Sequence, residues 1–379
     1  MRSCTSITSG ESAVPDILML YDVDGWAYHS RALALAQYAP EDFRVRIAAT
    51  DALEAHAEPP AASDAALARW RCYHPHRSGP SATEWELHRA LGDSPPDLVF
   101  ALCPRQARRL RRVFEERRWA TRLVVSWNSG WPRRLEEFEA LRGVADAVIV
   151  NNLDYWVRAG CPPDTYAISN GVDLDTFTPV QPPGGRTPRV LWCGSEYHRQ
   201  IKGYDEFIQP LFARLEATGI ACDALLVDSR GPARRERRAM LDWYNSGTVL
   251  VCASESEGTP NPALEAAACG CTIVTTRVGN MPELISDGVN GVFVERDLDS
   301  LERGVRCAVA NYVPMATRLL ADIQSWQWPR RAPAFFSVFQ GVLGRVDRTG
   351  GADDFRDSGK VISTAMPVSK PQTPTTLRA

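Results

Sequence analysis

The sequence predicts an α/β protein made of two doubly wound domains, each on a parallel sheet. Three observations predict it. Short β-rich apolar runs alternate with helical patterns over most of the chain. A stretch rich in Pro and Gly, Gln181-Pro-Pro-Gly-Gly-Arg-Thr-Pro188, divides the alternation into two series. The 379 residues suit about two domains of roughly 150 residues each. Alternation of this kind marks βα units, in which a helix carries the chain back so that the next strand runs parallel to the last.

In the first series the strands are expected at Asp16 to Tyr21, Phe43 to Ala49, Asp97 to Leu102, Arg122 to Ser126 and Ala147 to Val150. Each is a short apolar run, as a strand covered on both faces requires. A helical pattern follows the first strand, with His29 one turn into it. Another spans Pro104 to Arg118, where seven arginines face one way and Ala107, Leu110, Val113 and Phe114 the other. The Pro-Gly stretch 181–188 suits neither helix nor strand and reads as an interdomain linker. The second series places strands at Arg189 to Cys193, Ala224 to Asp228, Thr248 to Ala253, Thr272 to Thr275 and Val292 to Val294, and Ala332 to Leu343 reads as an apolar helix. Beyond Arg345 the chain turns polar and rich in Gly, Ser, Thr and Pro, a composition expected to be disordered. Open parallel sheets bind ligands at the carboxyl ends of their strands, so the cleft between the domains is the expected site.

Composition narrows the function classes. Hydrophobic residues make up 44% and charged residues 23%, with 43 basic and 46 acidic side chains and a formal charge of −3, so a polyanion-binding surface would have to be local. The ten cysteines are scattered without a Cys-x-x-Cys pair, which points to a reducing compartment. Ile17 to Leu20 is too short for a signal peptide's apolar region, and no run approaches the ~20 residues of a membrane span. These features point to a cytoplasmic enzyme, with peripheral attachment to a membrane left open. No Gly-x-Gly-x-x-Gly follows a strand, and there is neither a Walker motif nor a His-Glu-x-x-His. Asp22 and Asp24 form a pair of carboxylates with a metal-binding spacing, but two acids so spaced arise easily by chance and strand-end turn chemistry is the favoured reading.

The informative block is Ser254-Glu-Ser-Glu257-Gly-Thr-Pro-Asn-Pro-Ala-Leu-Glu265-Ala-Ala-Ala-Cys-Gly270. It reads as strand, tight loop and short helix, with Asn261 as N-cap, Pro262 at the first helical position and Gly270 as the stop. Pro260 and Pro262 keep the helix from extending backwards, so Glu257 belongs to the loop and Glu265 to the helix. The amides of Gly258, Thr259 and the helix start (Pro260, Asn261) offer partial positive charge to a phosphate. Ionised carboxylates nearby suit sugar or ribose hydroxyls, from which they accept hydrogen bonds. The same two acids also suit plain capping and surface roles.

Glu257 to Glu265 reproduces an E-x7-E spacing, and other motifs accompany it in order: Ile168-Ser-Asn170-Gly-Val-Asp173-x-x-x-Phe177-x-Pro179, Ile201-Lys202-Gly203-Tyr-Asp205, Val278-Gly-Asn-x-Pro-Glu283-Leu-Ile-x-Asp287-Gly-x-Asn-Gly291, and Trp326 and Trp328 before the last helix. Together they resemble glycosyltransferase family 4, the retaining GT-B glycosyltransferases of group 1. The resemblance implies a GT-B fold: two Rossmann-like doubly wound parallel-sheet domains facing an interdomain cleft. Residues 1–180 would bind the acceptor, 181–188 link the domains, 189–327 bind the nucleotide sugar, 328–345 return as a helix to the first domain, and 346–379 form the tail. It implies transfer of a hexose, with retention, from a nucleoside-diphosphate sugar (UDP- or GDP-sugar) to a hydroxyl on a glycan, lipid, protein, metabolite or modified nucleic acid, with no metal or other cofactor required. By position Glu265 would hold the ribose, Glu257 the transferred sugar and Lys202 the diphosphate.

Two departures from that family's pattern shift the expected roles. Gly194 is followed by Ser195 where the family usually has Arg, which makes Arg199 the expected replacement cation. The first loop carries Asp24-Gly25-Trp26, so Gly25 alone brings backbone close to the ligand there. Asn128 or Trp127 stands where the family often has a His, with His29 as a substitute. Arg230, at the edge of the cleft, is expected near the nucleotide. The basic helix Arg105–Arg118 could make weak contact with an anionic surface, but Glu115 and Glu116 dilute its charge and favour an ordinary solvated face. Two rival functions use the same scaffold, a sugar-nucleotide epimerase and a non-catalytic nucleotide-sugar-binding protein.

Overall fold

The computed structural model of the protein describes residues 14–23, 27–51, 87, 90–128, 135–227 and 237–344. The expected tail beyond Arg345, and Asp24, Gly25, Trp26 and Arg230, lie outside the described residues.

The first sheet has six parallel strands, β1 (Asp16–Val23), β2 (Arg44–Asp51), β3 (Leu98–Ala101), β4 (Arg122–Trp127), β5 (Ala147–Val150) and β6 (Thr165–Ala167), in the order β2-β1-β3-β4-β5-β6. Alternate side chains of β1 enter opposite cores, as strand geometry dictates. Ile17 and Met19 pack with Ala32 and Leu35 of α1 (Ala27–Gln37). Leu18 and Leu20 pack with Leu110 and Phe114 of α2 (Ala107–Glu116) and Phe138 of α3 (Leu135–Arg142). The arginine-rich α2 buries Ala107, Leu110, Val113 and Phe114, as its spacing predicts. Its apolar face is thus committed to the core, and Arg111 on its flank pairs with Asp146. The short α4 (Leu153–Arg158) follows β5.

The second sheet has five parallel strands, β7 (Arg189–Ser195), β8 (Ala221–Val227), β9 (Val249–Cys252), β10 (Thr272–Thr275) and β11 (Gly291–Phe293), in the order β11-β10-β9-β7-β8. Helices α5 (Gln209–Glu216), α6 (Arg237–Asn245), α7 (Asn261–Ala268), α8 (Met281–Leu284), α9 (Leu298–Ala310) and α10 (Tyr312–Asp322) surround it. In both sheets the strand order reverses beside the first strand, between β1 and β3 and between β7 and β9. Loops leaving such a point diverge to opposite faces and open a crevice for a ligand.

The structure differs from expectation in where the chain changes domain. Ile168 belongs to the first core, and Val172 and Phe177 belong to the second, so the crossing lies between residues 168 and 172. The Pro-Gly stretch expected as the linker is instead held on the second domain, where Arg186 donates to the carbonyls of Cys269 (2.7 Å) and Gly247 (3.2 Å). The return crossing lies beside the first. Val172 N–H donates to Trp326 O (2.9 Å) and Trp328 N–H to Val172 O (3.2 Å). Trp326 fills the second core and Trp328 the first, where α11 (Trp328–Leu343) lays Phe335, Phe336 and Phe339 against β1 and β3. The return helix starts at Trp328, where the returning segment is expected, and its first turn precedes the apolar run from Ala332.

Candidate functional site

The loops leaving β7 and β9 meet at the switch point of the second sheet. Glu255 N–H donates to Ile201 O (2.9 Å), and Arg296 braces both loops through Ala253 O (3.1 Å) and Gln200 O (3.2 Å). Gly203 turns the chain at a φ of 70°, and a Cβ there would stand 2.9 Å from the Phe207 ring and 3.0 Å from Ala253 O, so only glycine fits. This turn places Lys202 beside the Glu257 loop. Lys202 Nζ donates to Glu257 Oε1 (2.7 Å), which also accepts from Ser254 Oγ (2.8 Å), and both side chains are mostly buried.

Burial pulls the Lys202 pKa down, but the adjacent Glu257 carboxylate outweighs it and holds the ammonium above the ordinary lysine range. Lys202 is therefore a permanent cation and cannot act as a base near neutral pH. His198, which sequence reasoning passed over, lies near the same pair. Burial first, and then the Lys202 charge, push its pKa down, so it is chiefly neutral around pH 7.

Glu265 projects from the middle of α7, and its Oε2 accepts a hydrogen bond from Tyr244 Oη (2.8 Å). Tyr244 is fully buried, wedged edge-on against Phe177 and Trp243. The phenol therefore fixes one carboxylate oxygen and the rotamer that presents the other. Replacing Tyr244 with Phe removes the donor but keeps the ring. If Glu265 holds a ligand, affinity should fall about tenfold, the scale of one hydrogen bond to a charged group. Calorimetric titration of UDP and GDP into the variant checks this, and undiminished affinity would remove Tyr244 from the site.

The structure corrects three expectations here. Pro260, not Asn261, precedes the first residue of α7, and Asn261 Oδ1 accepts from Asn170 Nδ2 (3.1 Å) instead of capping the helix. The first amides of α7 are also taken locally: Asn261 N–H donates to Thr259 O (2.9 Å), Ala263 N–H to Pro260 O (2.8 Å), and Pro262 has no N–H. Of the expected phosphate seat, the helix-start donors are therefore taken locally, and the Gly258 and Thr259 amides remain. Finally, Arg199 forms a two-point ion pair with Asp205, with its Nε 2.7 Å from Oδ2, on the partly exposed side of the loop. Asp205, six residues away, claims the guanidinium expected for the diphosphate.

Gly258 and Thr259 instead meet the first domain. Asn152, the N-cap of α4, donates through Nδ2 to Gly258 O (3.1 Å), and Tyr155 Oη donates to Glu257 O (2.8 Å). Leu153 N–H donates to Glu283 Oε1 (2.8 Å), and Thr259 Oγ1 donates to Asn151 O (3.4 Å). Asn128 is locked rather than free. Its Nδ2 donates to Leu102 O (3.2 Å), and its Oδ1 accepts from Ser126 Oγ (2.7 Å) and Arg31 Nη1 (2.7 Å). His29 stacks on Tyr21 at 4.6 Å between ring centroids.

Beside this contact a cavity of 530 Å³ opens between the domains, walled by Arg31 and Tyr38 from the first, Asn170 and Asp173 at the crossing, and Asn261 and Glu265 from the second. Lys202 and Glu257 stand outside its walls. The cavity's described walls thus carry carboxylates at Asp173 and Glu265 and a buried cation, Arg31, on the first domain.

Two parallel, doubly wound sheets joined by paired crossings, with a cleft at the carboxyl ends of their strands, define the GT-B fold. Sucrose-phosphate synthase from Thermosynechococcus elongatus superposes over 86% of this chain and 99% of its own at a TM-score of 0.65, with 15% identity. HepE of Anabaena, solved with UDP-glucose, superposes over 86% and 99% at 0.59, with 13% identity. Residues 187–311 match the family model described as "Glycosyl transferases group 1". D-inositol 3-phosphate glycosyltransferase of Xylanimonas cellulosilytica is 30% identical over 168 residues, 34% of this chain and 39% of that protein. The chain spans less than half the length of the first curated relatives it matches. Among the described residues no helix is long and apolar enough to cross a membrane.

Proposed function

We propose that the chain is a glycosyltransferase that moves a hexose from a nucleoside-diphosphate sugar to an acceptor hydroxyl with retention of configuration. The observation that carries the reading is the Lys202–Glu257 pair at the β7/β9 switch point, with Glu265 held by Tyr244 on the next helix. An obligate ammonium there matches a pyrophosphate, and the two carboxylates match hydroxyls on either side of it. The group 1 match over the second domain and the UDP-glucose carried by HepE support the same donor class.

On this reading the ribose docks on Glu265, and the pyrophosphate draws Lys202 from Glu257. The freed carboxylate then accepts from hydroxyls of the sugar. When the bond from the sugar's anomeric carbon to the phosphate oxygen breaks, its electron pair stays on the diphosphate and Lys202 compensates the growing charge. The acceptor oxygen approaches the face being vacated, bonds to the anomeric carbon and gives its proton to the departing phosphate oxygen, and no side chain is assigned as a covalent nucleophile.

The two acids should be separable. Glu265→Ala should weaken free UDP or GDP about tenfold or more, whereas Glu257→Ala should leave the free nucleotide nearly unchanged and weaken the intact sugar nucleotide. Calorimetry with both ligands checks the split, and equal losses in both variants would overturn the assignment. Incubation with donor alone separates transfer from epimerisation, since conversion of the donor without acceptor would favour the epimerase.

A further inference from the structure

Arg31 is an unusual residue for the interior of a sheet domain. It lies on α1, is 2% exposed, and lines the interdomain cavity. Only one arm of its guanidinium is used: Nη1 donates to Ser126 Oγ (2.8 Å) and Asn128 Oδ1 (2.7 Å), both neutral. Nε and Nη2 are buried without a hydrogen-bond partner, and no carboxylate pairs with the charge among the described residues. The ring of Phe335 at 4.9 Å and that of Phe100 at 5.6 Å support the guanidinium from the side of the core. Burial pulls its pKa down to about 10, which still leaves it charged at neutral pH.

A buried, unneutralised arginine with two idle donors is costly to keep, and buried cations are ordinarily paired. A planar fork of N–H groups is suited to an oxyanion, which it binds at two points. We infer that Arg31 is the binding point for an anionic group, a phosphate or a carboxylate, on the second substrate. The assignment to that substrate rests on the proposed donor site. There the ribose and pyrophosphate are met by Glu265 and Lys202, both on the second domain, while Arg31 stands on the first. The cavity that Arg31 shares with Glu265 also carries a carboxylate at Asp173, so Arg31 is the cation among its described walls. The acceptor is therefore an anionic hydroxyl compound, its charge at α1 and its neutral hydroxyls towards the second domain.

The test uses the full chain saturated with UDP or GDP, at fixed ionic strength. Inorganic phosphate, acetate, glucose 6-phosphate, glucuronate and glucose are titrated separately, with thermal shift and calorimetry as readouts. At least one anion should bind saturably and about tenfold or more tighter than glucose. Arg31→Met should abolish that preference, Arg31→Lys should recover part of it, and the nucleotide affinity should not move in either variant. The phosphate and carboxylate probes tell which oxyanion is preferred. Met fills the same space without a buried charge, so folding is retained. Saturable binding of none of the anions, or a preference that survives Arg31→Met, would overturn the inference. So would a parallel loss of nucleotide affinity, which would assign Arg31 to the donor. Wild-type protein that binds the anion but neither nucleotide would instead overturn the donor site and leave the anion site standing.

Discussion

Lys202→Met should lower turnover by ~10² or more while leaving the fold intact, if Lys202 meets the diphosphate as proposed, on the scale of removing one donor that meets a developing anion. On the proposed reading Lys202 is the cation that meets the diphosphate, and its neighbours offer little else. The α7 amides bond within their own turn, and Arg199 is held by Asp205. The substitution also strands Glu257, whose remaining partner at that oxygen is Ser254. A partly buried carboxylate without its cation should destabilise the protein modestly, by about 1–3 kcal/mol. The double variant Lys202→Met/Glu257→Gln should regain that stability without regaining turnover. Thermal unfolding together with single-turnover kinetics separates the two effects. Recovery of turnover in the double variant would show that Lys202 matters only as a partner for Glu257.

The pH dependence follows from the sign of the same shift. The folded-state pKa of Lys202 lies above its unfolded value, because Glu257 outweighs burial. Its contribution to stability is then fully present below the ordinary lysine range and lost only as pH rises through the folded value. Between about pH 5 and pH 9 the lysine should titrate in neither the stability curve nor the rate profile. A rate that falls in that window with Lys202 as the titrating group would contradict its role as a fixed charge.

Much of this arrangement is legible in the sequence, for reasons that differ by residue. Runs such as Leu98–Ala101 and Ala147–Val150 are interior strands covered on both faces, so their continuous apolar character gives them away. β6 was missed because Thr165–Ala167 is three residues long, at the sheet edge and partly polar. The crossing was placed too late because proline and glycine report what cannot be helix or strand, not which core a segment serves. Its real marks are hydrogen bonds between Val172 and residues 326 and 328, which no local pattern encodes.

The site divides in the same way. The spacing of Glu257 and Glu265 places one in a loop and one on a helix, which the structure shows. Arg199 was misjudged because its partner Asp205 comes within reach only after the wide turn that follows Gly203. Tyr244 gives no local signal, since its hydrogen bond to Glu265 joins two helices. Arg31 did leave one: it shares the helical spacing of Tyr28, Ala32 and Leu35, so a charge falls on the stripe that faces the core.

Gly258→Ala should have the other large effect, through geometry alone. A Cβ on Gly258 would stand 1.8 Å from Asn128 O and 2.2 Å from Asn151 Nδ2, and the first of these is backbone that cannot swing aside. Both neighbours belong to the first domain, so the methyl group works as a wedge between domains and not as a defect in the second core. The same loop holds Glu257, whose carbonyl is bonded to Tyr155, so the displaced contact also shifts the acid proposed to hold the sugar. Misplacement of a reacting group by about 1 Å costs ~10² in rate, and kcat/KM should fall by that order. Free nucleotide affinity should hold, because Glu265 and Tyr244 both lie within the second domain. Small-angle scattering should show a larger radius of gyration than the wild type. Unchanged scattering together with an unchanged kcat/KM would mean that the tight contact at Gly258 plays no part in catalysis. A loss of nucleotide binding would place the damage inside the second domain instead of at the boundary between the two.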